Sequence, residues 1–167
     1  MRVLNSKLTF SPSDLTCFHE SPYASWMERL YFSHRELAPQ PDPDDSFNSL
    51  LQTLGDRHER AQLRRFIDDG LTVSDILSIC DKTDFALAHQ TTLEQMRLGV
   101  DVIFQAALQS GSFAGFADFL IKVPGKSLLG DYHYEVWDTK LASEVKVKFV
   151  LQLCCYAEML QQLQNQT

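Results

Sequence analysis

Asp118, Asp138 and Lys140 are the residues whose types and spacing could do chemistry together. Asp118 interrupts an apolar run at 115–123, and Asp138 and Lys140 close a second run at 132–140. Both runs read as strands, joined by a turn that contains Pro124 and Gly125. Side chains alternate along a strand, so Asp118 shares a face with Phe116 and Leu120, away from Ala117, Phe119, Ile121 and Val123. Asp138 and Lys140 share a face with Tyr132, Tyr134 and Val136. A turn centred near Ser127 sets Asp118 opposite Val136 and Asp138 opposite Phe116. The carboxylates are then diagonal neighbours, roughly 7 Å apart at the backbone. Carboxylates within a sheet are costly unless paired or metal-bound. Spacing alone leaves two readings open: a site for one divalent cation with an ammonium alongside, or a solvated Asp–Asp–Lys cluster.

Other elements must carry these strands. Ser11-Pro12-Ser13-Asp14 opens a short helix and Ser21-Pro22 a second, with Trp26, Leu30 and Tyr23 marking its apolar side. Residues 38–45 form an acidic, Pro-rich connector. A long helix at 46–68 is opened by Asp45 or Ser46. Leu51, Leu54, His58 and Ala61 form one stripe on it, which places His58 on the inward face or at its edge. Arg57, Arg60, Arg64 and Arg65 give it a basic flank, either a solvated face or a phosphate-contacting edge. Gly70 ends that helix. Short helices are expected at 73–80 and 84–98, a strand at 100–108, and a helix from about Phe149 with Phe149, Leu153, Ala157 and Leu160 inward. Gln152 and Tyr156, four apart, share a neighbouring helix face.

The chain has 167 residues, 44% hydrophobic and 22% charged, enough for one domain with a real core. A net charge of −7 argues against a broad basic surface, while leaving room for a local basic groove. No apolar run approaches the roughly 20 residues of a membrane span, and the N-terminus lacks a signal-peptide core. A cytoplasmic protein with no membrane partner is expected. Cys17, Cys80, Cys154 and Cys155 make no metal-binding framework.

Four segments, in order, resemble the PD-(D/E)XK nucleases of the RecB-like branch. They are Gly55-Asp56-Arg57-His58-Glu59, Gly115-Phe116-Ala117-Asp118, Tyr134 to Ala142, and Gln152-Leu153-Cys154-Cys155-Tyr156. The N-terminal SPSDLTCFHESPYASW is similar to a narrower group within it, predicted RecB-family nuclease domains. The resemblance covers most of the chain. It implies an α/β (α+β-like) domain with a restriction-endonuclease-like core: a three-stranded, mainly antiparallel sheet flanked by helices. Residues 1–45 would carry the N-terminal helices and connector, and 46–167 the nuclease core, all as a single domain. The family's last core strand is missing, so a fragment, a reduced form or a domain completed by another chain is expected.

The resemblance also assigns roles. His58, Asp118 and Asp138 match metal ligands, with the backbone carbonyl of Thr139 as a further ligand. Lys140 matches the catalytic lysine beside Asp118 and Asp138. Gln152 and Tyr156 match a Q-x-x-x-Y motif that shapes the site and contacts nucleic acid. Glu135 falls on the opposite strand face and is left out. The implied activity is divalent-metal-dependent hydrolysis of phosphodiester bonds, of DNA before RNA, with Mg or Mn as cofactor. No iron–sulfur cluster is expected, because Cys17 has no later cysteine trio. A helicase or RNase H-like domain would have to come from another chain. The rival class is a non-catalytic nucleic-acid-binding or protein-interaction domain on the same fold.

Overall fold

Four strands, not three, make the sheet that holds Asp118. The computed structural model describes residues 1–4, 7–40, 46–142 and 144–164. An N-terminal hairpin, β1 (Arg2–Leu4) and β2 (Lys7–Thr9), leads into α1 (Pro12–Glu20) and α2 (Pro22–Ser33). The expected helix start is a reciprocal cap: Asp14 N–H donates to Ser11 Oγ at 3.2 Å, and Ser11 N–H to the Asp14 carboxylate at 2.6 Å. The expectation for α2 is corrected. It buries no residue, and Tyr23 and Trp26 are 71% and 57% exposed. Its apolar residues do not face the core, because the sheet is already covered by other helices. The aspartates of the connector and the cap of the next helix lie outside the described residues.

The remaining elements are α3 (Ser46–Asp68), β3 (Val73–Asp75), α4 (Ile76–Ile79), α5 (Phe85–Leu98), β4 (Val102–Ser110), β5 (Phe113–Ser127), β6 (Gly130–Trp137) and α6 (Val147–Gln164). The strand order is β3-β4-β5-β6. β3 runs parallel to β4, with Val73 beside Val102; the other pairings are antiparallel. Residues 73–80 are therefore not one helix. Three of them extend the sheet, and Asp75 then caps α4 by accepting from Ser78 N–H. Three residues are too few for a period-two pattern to reveal. The result is an α+β protein with a mixed sheet.

Each sheet face has its own packing. On one, Phe66 of α3 meets Val102, Phe104 and Phe119, flanked by Leu63, Val73 and Ile121. Phe66 and Phe119 pack edge to face with ring centroids 5.5 Å apart. On the other, Ile103, Ala107, Leu120 and Tyr134 bury against Phe85, Ala88 and Met96 of α5 and Cys155, Tyr156, Met159 and Leu160 of α6. From Phe119 to Ile121 the alternation holds, with Leu120 on the other face, but Ala117 packs in the cluster of Leu120 and not with Phe119 as expected.

Helix side chains complete the sheet where strands lack a neighbour. Beyond the end of β3, Ala107 N–H donates to Thr92 Oγ1 at 3.0 Å, and Ala107 C=O accepts from His89 Nδ1 at 2.9 Å. On the outer side of β6, the amide of Gln164 accepts from Tyr134 N–H at 2.8 Å and donates to Tyr134 C=O at 2.9 Å. Gln164 is only 2% exposed. At Ala107 and Tyr134, backbone groups without a strand neighbour are thus paired by helix side chains.

Candidate metal centre

The β5–β6 register brings the two aspartates closer than the spacing suggested. Phe119 pairs with Trp137 and Leu120 with Val136, so the next position sets Asp118 against Asp138. The expected offset of two residues is corrected. The hairpin turns at 127–130, with a register shift between Pro124 and Ser127 that sequence arithmetic could not include. β6 ends at Trp137, so Asp138, Thr139 and Lys140 leave the sheet instead of continuing its alternation. Lys140 still folds back onto the pair: its ammonium lies 2.7 Å from Asp138 Oδ1 and 3.8 Å from Asp118 Oδ2. Thr139 N–H reaches Asp118 Oδ2 at 3.4 Å.

Both aspartates are well shielded, with side chains 12% and 7% exposed against 32% for Lys140. Burial pushes the Asp118 carboxyl up to about 8, helped by the Asp138 carboxylate and the charge of Glu59 and opposed by Lys140. Glu59 is raised as well, first by burial, then by Asp56 and Asp138, against Lys140 and a hydrogen bond from Gln105. One ammonium therefore faces two shielded carboxylates, and the charge of Glu59 adds to theirs. Such a group holds a proton or gains a cation.

On α3, Glu59 is half-buried and feels the charges of Asp138 and Lys140, whereas its neighbour His58 is exposed. His58 lies on the exposed side of the helix with Leu51, Leu54 and Ala61, which corrects its inward placement. The inward stripe is Glu59, Leu63 and Phe66, spaced i, i+4, i+7, because α3 packs through its second half. That spacing was visible in the sequence. The apolar residues of the first half, Leu51 and Leu54, outweighed it. Arg57, Arg60, Arg64 and Arg65 are all exposed along α3.

Gln152 and Tyr156 sit on α6. Tyr156 is buried, donates to Phe116 C=O at 2.6 Å and closely approaches Gly115, where a Cβ would fall 2.8 Å from its hydroxyl. It fixes the stretch of β5 that leads to Asp118. Gln152 is half-buried one turn earlier.

Gln105 had no signal in the sequence. It is the one non-glycine residue with positive φ among those described, at 52°. It lies in β4 between Phe104, paired with Phe119, and Ala106, paired with Ala117, and so faces Asp118. Its Nε2 donates to Glu59 Oε2 at 3.0 Å.

The donor set suits a hard divalent cation: carboxylate oxygens from Asp118 and Asp138, Glu59 within electrostatic reach, and the buried Thr139 hydroxyl, which has no hydrogen-bond partner. The fit is that of a carboxylate pair and not of a finished cage. Among the described residues, no three His, Cys, Asp or Glu side chains converge closely enough to hold an ion. An apolar cavity of about 330 Å³ between α1, α2 and Phe113, lined by Phe18 and Trp26, contains none of these residues. No helix among the described residues is long and apolar enough to cross a membrane. Compared with protein-family models, curated proteins and solved structures, the chain matches none.

Proposed function

We propose that this chain is a divalent-metal-dependent nuclease of the PD-(D/E)XK type, RecB-like branch, hydrolysing phosphodiester bonds of DNA. The observation that carries this reading is the meeting of Asp118 and Asp138 at the end of β6 with Lys140 across them. Asp118 and Asp138 would hold Mg or Mn, with the Thr139 backbone as the resemblance implies. Bound there, the cation would supply charge neutralisation for a phosphate and a more acidic water.

The chain's own residues account for the rest. Hydrolysis adds water oxygen to phosphorus, breaks one P–O bond and returns a proton to the leaving oxygen. Lys140 is a three-donor cation held beside both carboxylates, placed to orient the attacking water or to balance negative charge on phosphate. A carboxylate of the Asp118–Asp138 pair would accept the water's proton. Exposed Arg57, Arg60 and Arg64 on α3 form a basic stripe that suits a phosphate backbone, despite the chain's net charge of −7. Tyr156 keeps β5 in place, and Gln152 remains the proposed contact with the nucleic-acid strand.

A second reading, a nucleic-acid-binding domain without hydrolysis, is favoured by the exposed position of His58 and the absence of a three-ligand group among the described residues. One experiment separates them: incubation of labelled single- and double-stranded DNA with Mg²⁺ or Mn²⁺. Metal-dependent cutting, lost in Asp138→Ala and Lys140→Ala, supports the nuclease. Binding without cutting by the folded wild type supports the second reading.

A further inference from the structure

Helix α2 has no place in either core. None of its residues is buried, and the rings of Tyr23 and Trp26 are exposed side by side, with centroids 6.2 Å apart. The apolar cavity of about 330 Å³ between α1 and α2 includes Trp26 in an aromatic wall, with Phe10, Phe18 and Phe113. Two charged side chains, Asp14 and Arg29, also line it. Asp14 is already answered, by the Met1 ammonium at 2.8 Å and by the Ser11 cap. Arg29 is exposed and makes no ion pair or hydrogen bond among the described residues. The cavity therefore joins ring faces to one unanswered positive charge. An aliphatic or neutral peptide guest would use the rings and leave the guanidinium idle. A base with its phosphate uses both.

We propose that this cavity receives an unpaired base of the DNA strand, stacked on Trp26, with the neighbouring phosphate on Arg29. The inference rests on the nucleic-acid reading above and narrows it to single-stranded DNA, because a base inside a duplex has no free ring face to offer. Lysines stand between the Asp118–Asp138 pair and the cavity. Past Lys140, the chain reaches Lys146 and Lys148 at the head of α6. Lys148 lies 2.8 Å from Glu20, at the end of α1 and two residues beyond Phe18. A strand leaving the pair along these lysines meets the rim of the cavity.

The test uses the full chain without divalent cation, so that a strand is bound and not cut. Anisotropy of a fluorescein-labelled oligo(dT) reads the affinity. Trp26→Ala should weaken binding roughly 10-fold, the usual effect of one lost stacking contact, and Trp26→Phe should restore most of it. Since α2 buries nothing, melting temperature should hold in both. Arg29→Gln should lower the salt dependence by about one phosphate contact. An abasic strand of the same length keeps the phosphates and lacks the rings, so Trp26→Ala should not weaken its binding. In a Trp137→Phe chain Trp26 is the one indole left, and oligo(dT) should quench its fluorescence. The inference is overturned by wild-type affinity in Trp26→Ala, by equal loss on the abasic strand, by an unquenched Trp26, or by a wild type that binds no strand. A dimer that Trp26→Ala dissolves would also overturn it, by giving the cavity to a second copy. Binding and quenching by a chain that never cuts with Mg²⁺ or Mn²⁺ would sink the nuclease and leave the base site standing. Metal-dependent cutting alongside full affinity in Trp26→Ala would do the reverse.

Discussion

Two aspartate–lysine groups touch β5, and they are built in opposite ways. Near its middle, Lys122 lies 2.5 Å from Asp101, both side chains 30% exposed. Asp101 also accepts from Thr72 N–H at 3.0 Å and Thr72 Oγ1 at 2.6 Å. One charge meets one charge and the remaining lone pairs are filled, so Lys122 and Thr72 pull the Asp101 carboxyl down to about 2. Four residues earlier on β5, Asp118 shares a single ammonium with Asp138 and is pushed up to about 8 by burial and by the Asp138 and Glu59 carboxylates. The same two residue types thus give a closed structural pair at one place and an excess of negative charge at the other. Spare charge, more than burial or residue type, marks the second as a site that takes something up.

The largest effect should come from removing that excess. Asp118→Asn keeps the shape and removes a carboxylate that the cation would bind; metal-dependent cleavage should fall by roughly 100-fold or more. The same change at Asp101 should leave cleavage within about twofold, since it lies outside the centre. Equal losses in both variants, assayed on the same labelled DNA, would erase the distinction.

Next in size is an opposition in pH dependence. The folded value of Asp118, about 8, lies above its ordinary 3.8. Its contribution is complete below 3.8 and is lost as pH rises toward 8. Asp101 runs the other way: its folded value of about 2 means stability present above 3.8 and lost as pH falls toward 2. Melting temperature without divalent cation should therefore decline from weakly acidic to weakly alkaline pH. Asp118→Asn should flatten that decline, and added Mn²⁺ should reverse it in the wild type alone. Superimposable wild-type and variant profiles would count against a sheltered, protonated Asp118.

A lysine swap sharpens the contrast. Lys140→Met should abolish cutting but weaken Mn²⁺ binding little or not at all, because it removes a competing cation. Lys122→Met should affect neither, and its cost is confined to folding. The smallest effect is Asp101→Ala, which should destabilise by about 1–2 kcal/mol through lost, partly exposed hydrogen bonds and one ion pair. Chemical denaturation would measure it.

Much of this was readable in the chain. The strands carrying Asp118 and Asp138 announced themselves by alternation, and α3 by its length and its closing glycine, Gly70. Ser11 and Asp14 foretold their cap. What stayed hidden depends on tertiary choices. Leu51 and Leu54 present as good an apolar stripe as Leu63 and Phe66, and only the position of Phe104 and Phe119 decides which one is buried. The hairpin register turned on an irregularity between Pro124 and Ser127. β3 is three residues long, and its pairing with Val102 is a long-range event. Gln105 reads as an ordinary strand residue, since a positive φ leaves no trace in residue type unless glycine supplies it.

The hydrogen bonds of Gln164, His89 and Thr92 bear on how copies of this chain meet one another. A free strand edge is a template, and a second molecule that adds to it offers its own edge to a third. At Tyr134 and Ala107 that template is already read, by side chains rooted in α6 and α5. A newcomer cannot zip along β6 past Tyr134 without first unseating α6, nor along the free part of β4 without displacing α5. Helix docking therefore closes these two stretches of strand edge to a second copy, and a change that loosens either helix should open them.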